Sequence, residues 1–387
     1  MKLETDYCIF GGGMIGSALA IGLSKLGYRV VVIEAFKPKI FNHEDLPDLR
    51  VSALNRYTQK LLETYGVWRR VAEMRSKQYQ RLSVWEDINK PLHFEASDIG
   101  ESYLGYFVEN RVLQLALLAT IDEEHSDSIE VIYAKATEID VDKARVVLDN
   151  STQIQAKILV GADGANSQLR DAAKIGTTGW QYEQQANVLL VKMKSVFDAA
   201  TWQQFTPQGP VAFLPLFDGY ANLVWYGDSA ISHKIKNTSN TDIKKLVLDR
   251  FPSLLTDFDV IDKTGFPLRR MHANNYWRSN AVLVGDAAHQ INPLAGQGVN
   301  LGFKDIDALV ESIKVNPITD INRRALLNYE KQRRASNLLM MSAMDLFYQT
   351  FSNDITPIKI IRNLGVTLAN AAGPIKKKAL KYAMGIE

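Results

Sequence analysis

Between residues 6 and 34 the chain sets a glycine turn into a pattern that only a strand–turn–helix–strand unit satisfies. Tyr7 to Phe10 is an apolar strand-like run. Gly11-Gly12-Gly13-Met14-Ile15-Gly16 follows it and contains G-x-G-x-x-G. Ala18 to Leu26 reads as a helix, and Arg29 to Ile33 as a second strand that ends on Glu34. Gly11, Gly13 and Gly16 allow a tight turn, close approach to a pyrophosphate and close helix–strand packing. An acid at the position of Glu34 accepts hydrogen bonds from an adenosine ribose. The glycine motif alone is often only a turn, but strand, helix and acid in register read as a dinucleotide site. The expected class is therefore α/β.

Two further strand ends carry an acid in a glycine setting. Ile158-Leu159-Val160 runs into Gly161-Ala162-Asp163-Gly164-Ala165-Asn166-Ser167, with Arg170 after it. Ala281-Val282-Leu283-Val284 runs into Gly285-Asp286. Pro293 to Gly298 is a turn with Gly296, Gln297 and Gly298, and Asn300 onward reads as a helix. A glycine turn at a helix start brings backbone N–H groups and the positive end of a helix dipole to one place, a seat for an electron-rich ligand. Asp163 and Asp286 also have a plainer reading as helix N-caps.

At 387 residues the chain has room for two or three domains. A net charge of +2 gives no field to attract nucleic acid. The lone Cys8, inside an apolar run, excludes an intramolecular disulfide and reads as buried filler in a reducing compartment. Glu4, Asp6 and the early glycines do not suit a signal peptide, and no apolar run approaches the roughly 20 residues of a membrane span. A soluble, cytoplasmic or peripheral protein is expected, with no metal site.

Residues 79–95 alternate like short strands, Val112 to Leu118 is helical, and Glu130 to Ala134 with Arg145 to Leu148 look like strands of a small sheet. Residues 180–270 change to strand-like runs rich in aromatics, interrupted by one amphipathic helix near Ile243 to Phe251. They read as an antiparallel-sheet domain. Residues 323–351 form a long helical pattern. The expected division is 1–75, 104–178 and 272–345 as a discontinuous nucleotide-binding domain, 76–103 and 179–271 as a substrate domain, and 346–387 as a helical C-terminal segment.

The three motifs in this order, Gly11-x-Gly13-x-x-Gly16, Gly161-Ala162-Asp163-Gly164 and Gly285-Asp286, resemble those of the class A flavoprotein aromatic monooxygenases. The stretches Asp163 to Ser167, Trp202 to Pro207 and Gly285 to Asn300 are similar to the ubiquinone-biosynthesis hydroxylases within that class. The resemblance implies a para-hydroxybenzoate hydroxylase-like fold: a Rossmann-type FAD-binding domain interleaved with an antiparallel-sheet substrate domain. It implies that Gly11, Gly13, Gly16 and Glu34 hold the ADP half of FAD and that Asp286 contacts the ribityl chain. Asp163 would serve the pyrophosphate region and reduction, and Pro293, Gly296, Gln297, Gly298 and Asn300 would line the isoalloxazine ring. One departure from the class is Glu109-Asn110-Arg111-Val112-Leu113, where Asn110 stands in the register of an arginine. Whether Arg111 takes over that arginine's FAD contact is left open.

The implied chemistry is ring hydroxylation of a prenylated benzoquinol by NAD(P)H and O₂ through a flavin C4a-hydroperoxide. The Gly296–Gly298 turn would hold charge developing on the flavin, and the aromatic sheet would supply an apolar chamber. A quinol hydroxyl activates its own ring, so no catalytic base is assigned. With no second complete glycine motif, NAD(P)H is expected to bind transiently. Hydroxylation of another ring position, a prenyl reductase and a flavin-binding scaffold subunit are the alternatives. A halogenase is disfavoured because W-x-W-x-I-P is missing.

Arg50 reads as a contact to FAD or to the ring edge, against a solvated surface charge. His289 reads as a hydrogen-bonded structural residue, against a proton carrier. The tail, with Ile360, Ile361, Leu364 and Leu368 and then Lys376 to Lys381, reads either as a solvated face or as a peripheral contact with the inner face of an anionic membrane. Other proteins of the same biosynthesis are expected as partners in a complex.

Overall fold

The glycine turn requires a parallel sheet, and six of the described strands build it. In spatial order they are Trp277–Arg278, Ala281–Leu283, Ile158–Gly161, Tyr7–Phe10, Val30–Glu34 and Ile129–Tyr133. The four middle strands and Ile129–Tyr133 run parallel, with Phe10 opposite both Gly161 and Ile33, and Gly161 opposite Leu283. Cys8, Ile9, Val32, Leu159, Val160, Val282 and Leu283 are fully buried, as expected of a parallel sheet covered on both faces. Helices Met14–Lys25, Asn110–Glu124 and Gly298–Val315 pack there. Gly302 lets helix Gly298–Val315 come close to helix Met14–Lys25, because a Cβ at that position would stand 2.7 Å from Cδ1 of Ile15.

The computed structural model describes residues 1–351 apart from 196, 253–254, 293–295, 297 and 320–322, with no side chains for 347–351. In the tail it describes residues 377–378, 380–381 and 384–385. The expectations that rest on Pro293, Gln297, residues 357–376, Ala379, Tyr382 and Ala383 lie outside the described residues.

The second layer is an eight-stranded sheet. Its order is His289–Gln290, Phe258–Ala273, Thr177–Met193, Tyr220–Gly227, Val211–Pro215, Ala200–Gln204, Arg81–Trp85 and Leu92–Glu95. One face buries Leu189, Val191, Phe213, Leu223 and Trp225 against Ile235, Ile243, Val247 and Phe251. The opposite face carries Leu82, Leu190, Leu214 and Tyr220. It packs toward Leu49, Val51, Ala53 and Phe107, and so toward the three-stranded sheet Val51–Asn55, Gly105–Glu109, Lys77–Tyr79. From the tail, Leu380 and Met384 are buried in this same cluster.

Several expectations change. Residues 129–133 do not share a sheet with 145–148. They extend the parallel sheet beside Val30–Glu34, while Arg145–Leu148 joins Lys2–Glu4, Gln153–Gln155 and Ala136–Asp140. The crossover helix Asn110–Glu124 explains this, since it returns the chain parallel to Val30–Glu34. The single helix expected near 243–251 is two, Ser229–Asn237 and Asn240–Arg250, each started by a side-chain cap from Asp228 and from Ser239. The first helix begins at Met14 rather than Ala18, because Gly13 already stands at its N-cap. The expected borders 178/179, 271/272 and 345/346 fall inside the continuous elements Thr177–Met193, Phe258–Ala273 and Arg324–Phe351.

A buried ion pair joins the layers. Arg75 Nε lies 3.0 Å from Glu109 Oε2, with both side chains almost wholly buried, and the guanidinium stands over the rings of Phe41 and Phe217. Arg75 also donates to the carbonyl of Asp45 at 2.6 Å, and Glu109 accepts the N–H of Asp48 at 2.7 Å, so the loop before Val51 hangs on this pair. Arg75→Ala strands a buried carboxylate and is expected to destabilise the fold by about 3–5 kcal/mol. A urea midpoint equal to that of the parent protein would show the pair to be dispensable.

Candidate active site

The C-terminal ends of three neighbouring parallel strands bring the three turns together. Gly11, at φ +96°, starts the first, and a Cβ there would fall 2.5 Å from the carbonyl oxygen of Ala162. A Cβ on Gly16 would fall 1.9 Å from the carbonyl of Gly11, so the helix can reach the strand only through glycine. Gly13 has open space around it and caps the helix without a side-chain hydrogen bond, leaving the first-turn N–H groups available to an anion. Glu34 accepts the N–H of Gly12 at 2.8 Å and of Phe36 at 3.1 Å. It therefore braces the turn while it stands at the strand end where a ribose is expected. Gln114, which the sequence reading did not single out, donates to the carbonyl of Gly12 at 2.9 Å.

The two aspartate turns are stitched to each other. Val284 N–H donates to the carbonyl of Gly161 at 2.9 Å. Arg170 donates to the carbonyls of Ala287 at 3.2 Å and Ala165 at 2.9 Å. Asp163 Oδ2 accepts the N–H groups of Gln168 and Leu169 in the first turn of helix Gln168–Ala172, whose N-cap is Ser167, while Asp163 Oδ1 is buried without a hydrogen-bond partner among the described residues. Burial raises the Asp163 carboxyl above its ordinary value, against the pull of Ser167 and the backbone donors. Asp286 is exposed by accessible area yet surrounded by protein on nearly every side. A residue on the wall of a deep crevice has both properties. That enclosure raises its carboxyl, with His289 and Arg50 opposing the rise and Asp305 adding to it.

Beneath Asp286 lies a buried polar network. Asp305, fully buried, accepts from Gly285 N–H at 3.1 Å and pairs with His289 Nε2 at 2.5 Å through Oδ2. Through Oδ1 it accepts from Arg333 Nε at 2.8 Å and Asn337 Nδ2 at 3.1 Å. Asn337 reaches on to the hydroxyl of Tyr276, which meets His272 Nε2 at 3.0 Å. Burial alone would lift the Asp305 carboxyl, but the neighbouring His289 and Arg333 outweigh it and hold it at about 2. His289 is thus a structural histidine inside this network. The sequence carried a signal for Asp305: an acid set among Leu301, Ile306 and Leu309 on the apolar stripe of helix Gly298–Val315.

Gly296, at φ +60°, lies against Ala53, where an added Cβ would be 3.1 Å from the alanine Cβ. Gly298 opens the helix. Asn300, expected to line the ring, turns its side chain into the protein. Its Oδ1 accepts from Asn55 N–H and Thr58 Oγ1, and its Nδ2 donates to the carbonyls of Ala53 and Gly296. All its bonding capacity is used inside the protein, so its side chain clamps the turn to the strand Val51–Asn55. Arg111 is held by the carboxylates of Asp48 and Asp45 and the carbonyls of Lys39 and Ile40. Asn110 Oδ1 accepts from the hydroxyl of Ser52 at 2.7 Å. Arg50 is exposed at the crevice, near enough to act on Asp286, and the structure shows no hydrogen bond or ion pair for its side chain among the described residues.

FAD fits these residues. The cradle at Gly11, Gly13 and Gly16 rejects side chains, the helix N-terminus is uncapped, Asp163 keeps a buried oxygen without a partner, and Asp286 lines a crevice with a cation beside it. Among the described residues no cluster of histidine, cysteine or acids has the form of a metal site, and no helix is long and apolar enough to cross a membrane.

Two outcomes test the site. Asp286→Ala removes one charged acceptor and is expected to weaken FAD about 10–100-fold, the equivalent of about 1.5–3 kcal/mol. Full retention of flavin on the purified variant would show that Asp286 does not hold the cofactor. Burial, with His289, Arg334 and Arg270 nearby, depresses His272 to about 4. A folded-state value below the ordinary one of about 6.5 means that the unfolded chain binds more protons between the two values, so stability falls as pH drops through that window. His272→Gln should flatten this dependence in urea midpoints measured from pH 7 to 4.5; an unchanged slope would place the titration elsewhere.

The FAD-binding-domain family model matches residues 4–342. The chain is 41% identical over 393 residues to 3-demethoxyubiquinol 3-hydroxylase of Escherichia coli, covering 99% of each chain. It is 30% identical to the mitochondrial ubiquinone biosynthesis monooxygenase COQ6 of Rattus norvegicus, over 98% of this chain and 90% of the other. Among solved structures, p-nitrophenol 4-monooxygenase from Pseudomonas putida superposes with a TM-score of 0.81 at 18% identity, over 99% of this chain and 98% of that one. At that identity the likeness shows the fold.

Proposed function

The chain belongs to the family of FAD-dependent monooxygenases that includes the ubiquinone-biosynthesis hydroxylases, and from that premise we propose that it hydroxylates the ring of a prenylated benzoquinol with NAD(P)H and O₂. The observation that carries this reading is the meeting of two surfaces. The Gly285-Asp286 turn packs against the helix opened by Gly298, and Gly296 rests on Ala53, which belongs to the apolar cluster on the face of the eight-stranded sheet. Bound FAD supplies the reduction of O₂ to an oxygen donor. The chain's own residues do the rest. Gly11, Gly13, Gly16 and Glu34 hold the adenosine diphosphate end, and Asp163 and Asp286 the pyrophosphate and ribityl regions. The start of helix Gly298–Val315 stabilises negative charge on the reduced ring. Leu82, Leu190, Leu214 and Tyr220 exclude water from the reacting centre. A quinol hydroxyl already makes its ring electron-rich, and no side chain is given the role of base.

Purified protein with NADH or NADPH in air, offered a short-chain 3-demethoxyubiquinol analogue, is expected to give a product heavier by one oxygen atom. NAD(P)H oxidation with no oxygen inserted into the ring would turn the reading to a hydride-transferring flavoprotein.

The same reading extends to a peripheral contact with an anionic membrane, where prenylated quinols reside, and to association with other enzymes of the pathway. Lys377, Lys378 and Lys381 are exposed while Leu380 and Met384 of the same segment are buried in the protein, so the docked tail turns its charges outward. Changing the three lysines to glutamate leaves the buried pair in place and is expected to abolish flotation with anionic liposomes; undiminished flotation would remove the tail from membrane binding.

A further inference from the structure

The sheet face that looks toward the crevice is apolar except at a few positions. Strand alternation and register place four rows side by side on it: Thr201 with Gln203, Leu214 with Ala212, Asn222 with Val224, and Leu190 with Val188. Thr201 is satisfied, because its hydroxyl donates to the carbonyl of Phe213 at 2.7 Å. Gln203 and Asn222 are not. They are 8% and 1% exposed, and Gln203 Nε2 and Asn222 Oδ1 have no hydrogen-bond partner among the described residues. A buried amide atom left unsatisfied is a rarity that calls for a partner.

Their position supplies one. Asn222 Nδ2 donates at 3.3 Å to the carbonyl of Leu49, next in the chain to Arg50, so its other amide atom lies at the seam between the sheet and the crevice. Leu214 and Leu190, its neighbours across the strands, belong to the apolar cluster that contains Ala53, the residue against which Gly296 rests. Gln203 lies two strands away and one residue pair along, which puts the two Cα atoms about 12 Å apart. Both side chains rise from the same face of the sheet.

We propose that Gln203 and Asn222 recognise the oxygen substituents of the substrate ring: Gln203 Nε2 donates to a ring oxygen, and Asn222 Oδ1 accepts from a ring hydroxyl. The pair orients the ring on an otherwise apolar wall and sets which carbon faces the crevice. A ring carrying two or more oxygen groups at its edges satisfies both amides, whereas a phenol with one oxygen leaves one amide buried and unpaired, a strong basis for rejection. This inference rests on the quinol-hydroxylase reading of the same site.

The test compares binding of two probes to the oxidised holoprotein through perturbation of the flavin spectrum, which needs no turnover. The probes are a short-chain methoxy-methyl-benzoquinol and a prenylphenol with the same chain. The parent protein is expected to prefer the quinol by about tenfold or more, and Gln203→Met and Asn222→Leu each to reduce that preference to about twofold while retaining flavin and its reduction by NAD(P)H. Gln203→Glu, which keeps the shape and removes the donor, replaces Gln203→Met if that variant does not fold. Preference unchanged in the variants, or absent from the parent protein, overturns the proposal. Preference that depends on the two amides without oxygen insertion into the quinol would instead keep the ring site and remove the hydroxylase reading.

Discussion

The carboxylate of Asp305 is the point from which the site is built. It is buried without solvent, so it requires donors on every side, and two distant segments of the chain supply them: Gly285 and His289 from one, Arg333 and Asn337 from the other. Gly285 and His289 belong to the turn that carries Asp286. Asp305 lies on the helix whose first turn faces the crevice, and Arg333 and Asn337 lie on the long helix Arg324–Phe351. One buried anion therefore ties the acid turn, the helix start and the C-terminal helix into a single rigid body. A network of this kind is stabilising only when every member is satisfied, which is why its parts cannot shift independently.

Around that fixed point the fold separates two chemical environments. The parallel sheet ends in backbone N–H groups, glycines and two acids, suited to a dinucleotide. The eight-stranded sheet, antiparallel except where Ala200–Gln204 runs parallel to Arg81–Trp85, presents leucine, valine and aromatic side chains, suited to a ring and its prenyl chain. The edge strand Val51–Asn55 lies between them, clamped to the second glycine turn by Asn300 and to the opposite sheet through Leu49, Val51 and Ala53. The long paired strands Thr177–Met193 and Phe258–Ala273 carry the chain from one environment to the other, so that the two halves hold a set distance.

The sequence made the nucleotide unit legible because glycine at Gly11 and Gly16 is a steric requirement, and such requirements leave a fixed spacing. The two strand-end aspartates were legible for the same reason, and the helix start at Gly298 lay within the expected turn. What stayed hidden depends on tertiary partners. Arg170, Gln114 and Arg333 look like surface residues in a string of letters, and only the fold brings them to carbonyls and a carboxylate. Asn300 was read as lining the ring because its neighbours suggested a cofactor turn; the side-chain partners Asn55 and Thr58 lie some 240 positions away, and no spacing encodes them. Residues 129–133 were assigned to the wrong sheet because a short apolar strand does not announce its pairing partner.

If Asp305 holds the crevice in shape, removing its charge must be felt at the cofactor, which Asp305 itself does not face. The dissociation constant of FAD for Asp305→Asn protein, measured by flavin fluorescence beside far-ultraviolet circular dichroism, tests this directly. The account requires FAD binding weakened about tenfold or more with the secondary structure intact. An Asp305→Asn protein that binds FAD as tightly as the parent would contradict it.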